Sequence, residues 1–134
     1  MIRPAAALTA TLLLAAAAFA PHALTASQET TPATLYTTKV QPILATNCYK
    51  CHGGMNHRGG LSVDSKGGLL KGGHSGPAVV PGDPANSLLV KLIRHEGPAD
   101  DPRPMPPRGK LNDLEIATIE EWIKAGAVMP DDPK

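Results

Sequence analysis

Aromatic side chains are scarce in this sequence: its 134 residues include one Trp, two Tyr and one Phe, or 3% of the chain. Aromatic rings supply much of the buried apolar area of a small protein. The 42% of hydrophobic residues is enough for a core, and the length suits one domain with a short additional segment. The shortage of rings therefore predicts that something other than side chains fills the centre of that domain.

An excess of charge of either sign is also absent. Lys and Arg number 13 against 12 Asp and Glu, which gives a formal net charge of +1. This balance argues against a nucleic-acid-binding protein and against an acidic tail. Alternating apolar runs typical of strands are almost absent, and 13 Gly with 14 Pro argue against a long helical bundle. The composition therefore predicts short elements joined by ordered loops.

Long apolar runs are missing apart from residues 5–19, which are mostly Ala and Leu. Arg3 precedes this run and is the only charged side chain among the first 28 residues. A short positive start, a short apolar stretch and then small residues are typical of a secretory signal. The run is shorter than the ~20 residues of a membrane-spanning helix. We therefore predict a signal peptide over residues 1–26, cleaved between positions 20 and 26, rather than a retained anchor.

Cysteine is limited to two residues, and both lie in the pentapeptide Cys-Tyr-Lys-Cys-His at residues 48–52. A disulfide is the default for an exported pair. A structural disulfide leaves His52 without a role, and a redox disulfide goes with a thioredoxin-like alternation of strands and helices that this sequence lacks. A zinc site using His52 and His57 lacks the usual long spacer between ligand pairs. The fourth interpretation is C-x-x-C-H as an attachment motif for c-type haem.

The spacing of this motif has a chemical reason. Two thiols three residues apart, here Cys48 and Cys51, reach the two vinyl groups on one edge of a porphyrin. The next residue, His52, is then carried beneath the iron as its proximal ligand. Haem c is attached outside the cytoplasm in bacteria, which agrees with the predicted export. We therefore predict one covalent haem c per chain, attached to Cys48 and Cys51.

A Met ligand on the far face of the iron raises the reduction potential of a haem electron carrier. Met105 lies in Pro-Met-Pro-Pro, where the fixed φ of proline stiffens the loop. Met55 follows His52 too closely to reach the other face, and Met129 lies past the last predicted helix. We predict Met105 as the distal iron ligand, the alternative being a Met that fills a gap in the core. Three other histidines are interpreted as surface or helix-end residues: His57, His74 and His95.

Helix signals in the first half of the chain are weak. Residues 34–47 form the first predicted helix, which Pro42 should kink or restart. Ser65 should cap a single helical turn. Residues 61–63 and 78–80 are predicted as short extended pieces.

A further helix is predicted to begin near the middle of the chain. Asp83 is its predicted N-cap, Pro84 takes its first position and Gly97 ends it. The helical period assigns four residues to its buried stripe: Leu88, Leu89, Leu92 and Ile93.

The last helix has the clearest pattern. Asn112 and Glu115 form a capping-box arrangement at its start, and Gly126 stops it. Trp122 is expected to pack this helix across the first one. The residues that share its apolar face are Ile116, Ile119, Trp122 and Ile123.

The residues around these motifs resemble the planctomycete-type cytochrome c domain, a relative of the class I cytochromes c. The matching segments are residues 47–53, 60–61, 64–65, 70–73, 75–82, 87–89, 105–107 and 120–123. The resemblance implies a small, mainly α domain over residues 34–130, wrapped around a single covalent haem with long ordered loops. It also implies that Cys48 and Cys51 are thioether anchors, His52 the proximal ligand and Met105 the distal ligand.

These features predict a periplasmic electron carrier rather than an enzyme, with no catalytic residues. Its donor and acceptor are redox proteins that the sequence does not identify, and no stable membrane span is expected after signal cleavage. The alternative is a haem enzyme or gas sensor, such as a peroxidase or a CO or NO binder, which needs an open or labile sixth site. Ligation of the iron by Met105 separates the two hypotheses.

Overall fold

The computed structural model describes residues 30–97 and 102–131, and the regular structure in those ranges is helical. In chain order it comprises α1 (Pro32–Leu35), a π-helical turn (Tyr36–Val40), α2 (Gln41–Asn47), α3 (Tyr49–His52), a 3₁₀ turn (Arg58–Gly60), α4 (Lys66–Lys71), α5 (Leu88–Ile93) and α6 (Asp113–Lys124). These ranges contain no β-strand, only an isolated bridge between Gly73 and Gly76. The predicted mainly α class is confirmed. The predicted signal peptide, residues 1–26, lies outside the described residues.

The first predicted helix contains a π-helical turn just before Pro42. Thr31 caps α1 by accepting the Thr34 N–H at 3.2 Å, so the helix begins two residues earlier than predicted. The Gln41 N–H then bonds to the Tyr36 carbonyl, five residues back, which closes the π-helical turn. Pro42 lies at the start of α2 and has no N–H to donate. The backbone stays helical through Val40 and Gln41, so the predicted disturbance at Pro42 is a change of helical pattern and not a break.

The prediction for the start of α5 is wrong. The Asp83 carboxylate accepts the Asn86 N–H at 3.1 Å and so caps a turn instead of a helix. The Ser87 N–H donates to the Pro84 carbonyl at 3.2 Å, and Ser87 itself is extended, with ψ 120°. The helix therefore begins at Leu88. The preceding residue, Ser87, is fully buried. Its side-chain hydroxyl accepts the Val80 N–H at 2.9 Å and donates to the Asp83 carbonyl at 2.8 Å, so the buried group is hydrogen-bonded.

The predicted end of α5 at Gly97 is also wrong, because the helix stops at Ile93. His95 has a φ of +58°, the left-handed conformation that usually falls to Gly after a helix. The His95 N–H donates to Leu92 and the Glu96 N–H donates to Lys91, which together form a Schellman motif. His95 therefore terminates α5, although the sequence pattern predicted that Gly97 would do so. The buried residues of α5 are Leu89, Val90, Leu92 and Ile93, so Leu88 of the predicted stripe is replaced by Val90.

Helix α6 follows its sequence pattern closely. Asn112 accepts the Glu115 N–H at 2.9 Å, and the Glu115 carboxylate accepts the Asn112 N–H at 3.0 Å. The predicted face is buried, and Gly126, with φ +98°, follows the end of the helix. The Trp122 ring packs on Tyr36 at a centroid separation of 5.5 Å, which confirms that the last helix crosses the first.

The predicted extended pieces are ordered loops rather than strands, and each is tied to a helix. The Val63 N–H donates to the His52 carbonyl at 2.7 Å, and the Ala78 N–H donates to Leu69 at 3.2 Å. Ser65 caps α4 by accepting the Gly68 N–H at 3.0 Å, as predicted. No helix in the described ranges is long and apolar enough to span a bilayer.

Candidate haem-attachment site

The two cysteines and the following histidine lie on one helical turn after α2. We call this turn, residues 48–52, the attachment turn. Cys48 interrupts the helix with a φ of −123°, which separates α2 from the short helix α3. The Cys51 and His52 N–H groups both donate to the Cys48 carbonyl, at 3.1 and 2.9 Å. All three residues are half-buried. The sequence-predicted attachment residues are therefore held together by backbone bonds of a single turn.

The thiols of this turn are not joined to each other. Burial is the main cause that raises the pKa of the Cys48 thiol to about 11, and the nearby Cys51 adds to the rise. A thiol with that pKa is protonated at neutral pH. Thiol–disulfide exchange relies on a thiolate of lowered pKa. The environment of Cys48 therefore argues against the redox interpretation.

Two buried side-chain atoms in the described ranges have no hydrogen-bond partner, and both belong to α3. They are the hydroxyl oxygen of Tyr49 and Nδ1 of His52. Buried polar atoms are nearly always paired, because an unpaired one costs about 1–3 kcal/mol. Tyr49 and His52 are three residues apart and share one side of the helical turn. Unpaired polar atoms beside two free thiols fit a segment that completes its contacts with a bound group, so the residues present suit a covalently attached haem.

The three candidate methionines have different surroundings. Met55 is 100% exposed, and Met129 is 7% exposed and packs in the hydrophobic core. Met105 is half-buried, and its N–H donates to the Leu92 carbonyl at 3.1 Å. That bond attaches the proline-rich loop to the end of α5. Met105 is thus the one of the three that combines an anchored backbone with a side chain outside the core.

The three remaining candidate histidines, His57, His74 and His95, are exposed. His74 packs against the Gly59–Gly60 peptide, and its N–H donates to the Gly59 carbonyl at 2.8 Å. His95 ends α5. In the parts of the chain that the structure describes, no three His, Cys, Asp or Glu side chains come together as a metal-binding group. The alternative of a zinc site that uses His52 and His57 therefore finds no set of three ligands there.

Residues 48–109 match the family model of planctomycete cytochrome C. Over these residues, the chain is similar to the planctomycete cytochrome c family. The match begins at the first cysteine of the attachment turn and extends beyond the Met105 loop, so it includes every predicted haem ligand. Cytochrome c domains bind haem and transfer electrons. No curated protein and no solved structure matches the chain.

Within the segment that matches this family, the loop after residues 48–52 folds back on them. The Gly54 N–H donates to the Asp64 carboxylate at 2.6 Å, beside the bond from Val63 to the His52 carbonyl. The second carboxylate oxygen of Asp64 accepts the Ser62 hydroxyl at 2.5 Å. These bonds attach Val63 and Asp64 to His52 and Gly54, at the end of the attachment motif.

Two residues of this site were not predicted from the sequence. Tyr49 lies between the two cysteines of the motif, and nothing in that position indicates that its hydroxyl is buried. Asp64 was noted only as part of the family resemblance, although Ser62-x-Asp64-Ser65 is a pattern of short polar side chains typical of local capping. That pattern indicates a turn but does not identify Gly54, ten residues earlier, as the partner.

Proposed function

We propose that the protein is an exported monohaem c-type cytochrome that carries single electrons between redox proteins of the periplasm. Cys48 and Cys51 are its thioether anchors, His52 its proximal iron ligand and Met105 its distal ligand. The observation that carries the proposal is the turn of residues 48–52, where two unpaired thiols adjoin a half-buried imidazole. Haem bound there supplies an iron that alternates between the ferric and ferrous states.

The residues of the turn restrain the proximal side. The Cys48 carbonyl accepts from both Cys51 and His52, which fixes the backbone of the three residues in one turn. The His52 carbonyl accepts the Val63 N–H. With backbone bonds on both sides of His52, the imidazole changes position little between oxidation states. Small rearrangement favours fast electron transfer over ligand chemistry.

The Met105 loop restrains the distal side. Pro104, Pro106 and Pro107 limit the conformations of the loop, and the bond from Met105 to Leu92 fixes its position on α5. A thioether on such a backbone loses little further conformational freedom when it binds iron. If His52 and Met105 both hold the iron, the haem would supply one-electron transfer without a free site for a substrate, as a carrier requires.

Export is part of the same proposal. Arg3 and the apolar residues 5–19 supply the signal, and its removal between positions 20 and 26 leaves a mature chain that starts between Pro21 and Ser27. The domain over residues 34–130 then functions in the periplasm. Its electron donor and acceptor are proteins of that compartment. Intact-mass analysis of the exported protein tests the cleavage, and a mass that still includes residues 1–20 would contradict it.

The attachment is tested by production of the full chain in a bacterium that matures c-type cytochromes. After denaturation in acidified organic solvent, haem should stay with the polypeptide at one equivalent per chain. Cys51→Ser should leave a single thioether or no haem-loaded protein. Thr46→Ser is a control on the exposed side of α2, which should leave attachment unchanged. Haem that extracts freely from the wild-type protein would refute the proposal.

A further inference from the structure

The imidazole of His52 lacks the hydrogen bond that usually fixes the ring of a metal-binding histidine. In metal and haem sites, the ring nitrogen that does not bind the metal normally donates to a carbonyl or carboxylate, which fixes the ring orientation. Among the residues that the structure describes, none is bonded to His52 Nδ1. The orientation of the ring therefore depends on the backbone on either side of His52.

On the N-terminal side, the backbone is fixed by the Cys48 carbonyl, which accepts from Cys51 and His52. On the C-terminal side, two bonds cross the returning loop. The Val63 N–H reaches the His52 carbonyl at 2.7 Å, and the Asp64 carboxylate accepts the Gly54 N–H at 2.6 Å.

Asp64 is itself attached to the next helix. Its second oxygen accepts the Ser62 hydroxyl, which is 3.3 Å from the Ser65 hydroxyl. Ser65 caps α4 by accepting the Gly68 N–H. One carboxylate thus connects the peptide two residues beyond the imidazole to the start of α4.

We propose that Asp64 is a positioning residue for the haem iron, because it holds the C-terminal end of the attachment turn and thereby the orientation of the His52 imidazole. The inference rests on the proposed function, since it assigns a role relative to the bound haem. It differs from a purely structural role, in which Asp64 would stabilise a loop without affecting the iron.

Two variants of Asp64 separate its hydrogen bond from its charge. Asp64→Ala removes the acceptor of the Gly54 N–H, whereas Asp64→Asn keeps an amide oxygen at the same distance from the backbone. We expect Asp64→Ala to broaden or split the low-spin ferric electron paramagnetic resonance signal and to shift the measured reduction potential. Asp64→Asn should restore a single signal. Ser62→Ala, which removes one bond to the carboxylate, should shift the signal in the same direction by less and serves if Asp64→Ala does not fold.

Asp83 offers a matched control. Its carboxylate also caps an exposed turn, where it accepts the N–H of Asn86 at 3.1 Å and the side-chain amide at 2.6 Å, but it has no bond to the attachment turn. Asp83→Ala should lower the unfolding temperature without changing the resonance signal or the potential. If Asp64→Ala has the same iron properties as Asp83→Ala, the positioning role is refuted.

Amide hydrogen exchange gives a readout that does not involve the iron. The Gly54 amide should exchange at least several-fold faster in Asp64→Ala than in the wild type, and Asp64→Asn should restore its protection. Unchanged Gly54 exchange in Asp64→Ala would refute the proposal. Failure of the proposed function is distinguishable from this outcome, because it would be found as a wild-type protein without covalent haem before any variant is compared.

Discussion

The Tyr36 and Trp122 rings lie 5.5 Å apart at an angle of 38°, where the π-helical turn between α1 and α2 crosses α6. Both residues are buried, and the Trp122 indole N–H donates to the Val128 carbonyl at 2.9 Å. A tilted aromatic pair at this distance contributes about 0.5–1.5 kcal/mol beyond its buried area. Two of the four aromatic residues of the chain therefore pack at one helix crossing.

Trp122→Ala should destabilise the domain by about 3–5 kcal/mol, because it opens a cavity at this crossing and leaves the Val128 carbonyl unpaired. Urea unfolding of the haem-loaded protein measures the loss. Leu114→Ala on the same helix is the control, since Leu114 is 77% exposed and its truncation should change stability by less than about 0.5 kcal/mol. Equal effects of the two variants would contradict this account of the core.

Gly72→Ala tests the loop that follows α4. Gly72 has a φ of +72°, and a Cβ there would lie 1.8 Å from the Gly76 carbonyl oxygen. Both strain and collision oppose a side chain, so we expect a loss of more than about 2 kcal/mol, or no folded protein. Gly82→Ala is the matched control, because Gly82 has a φ of +82° but open space around its Cβ position. Gly82→Ala should lower the free energy of unfolding by only about 1–2 kcal/mol, through backbone strain. Equal losses for the two variants in thermal unfolding would show that the collision at Gly72 is relieved.

Local sequence signals predicted α6 almost completely. Its cap residues, Asn112 and Glu115, act on their own first turn, and its apolar period needs no distant partner to be recognised. The boundaries of α5 were wrong because they depend on contacts outside that helix. The buried Ser87 hydroxyl bonds to Val80, seven residues away, and His95 adopts the left-handed conformation without being Gly.

The candidate haem site shows the same difference between local and distant contacts. The attachment residues are predictable because the spacing of Cys48, Cys51 and His52 is a property of one turn. The loop that closes onto that turn was not predicted, because the bond from Gly54 to Asp64 spans ten residues without any periodic pattern. Contacts of that kind are set by the folded chain and leave no local signature.

Acid should weaken the domain through two carboxyl groups whose pKa values are lowered. Burial alone would raise the pKa of Asp64, but the hydrogen bonds from Gly54 and Ser62 and the charge of His57 outweigh it and lower that pKa. Hydrogen bonds from Asn86 lower the pKa of Asp83. An unfolded Asp has a pKa of about 3.9. The stability that these groups contribute is therefore present above that pH and is lost as the pH falls through their lower folded values.

Asp64→Asn should flatten the dependence of unfolding free energy on pH below about 4, because the variant has no carboxyl group to protonate there. Chemical unfolding of wild type and variant at a series of acid pH values measures the two slopes. Asp83→Asn should flatten the curve in the same range. Identical slopes for wild type and both variants would contradict the assigned pKa directions.

The identity of the distal ligand is tested by Met105→Ala. If Met105 binds the iron, the variant should lose the weak far-red charge-transfer band of a sulfur-ligated ferric haem and bind CO or cyanide. Its reduction potential should fall, because a Met ligand favours ferrous iron over ferric. Optical spectra of the oxidised, reduced and CO-treated forms, with a redox titration, measure these changes.

Two other methionines provide the controls for that experiment. Met55→Ala should leave the band and the potential unchanged, because Met55 is fully exposed beside the attachment turn. Met129→Ala should lower stability through its place in the core and should also keep the band. If wild-type ferrous protein already binds CO rapidly and Met105→Ala leaves the spectrum unchanged, Met105 is not a ligand. The iron then has an open position, and a gas sensor or peroxidase becomes the better account of the domain because its sixth site is free for a substrate.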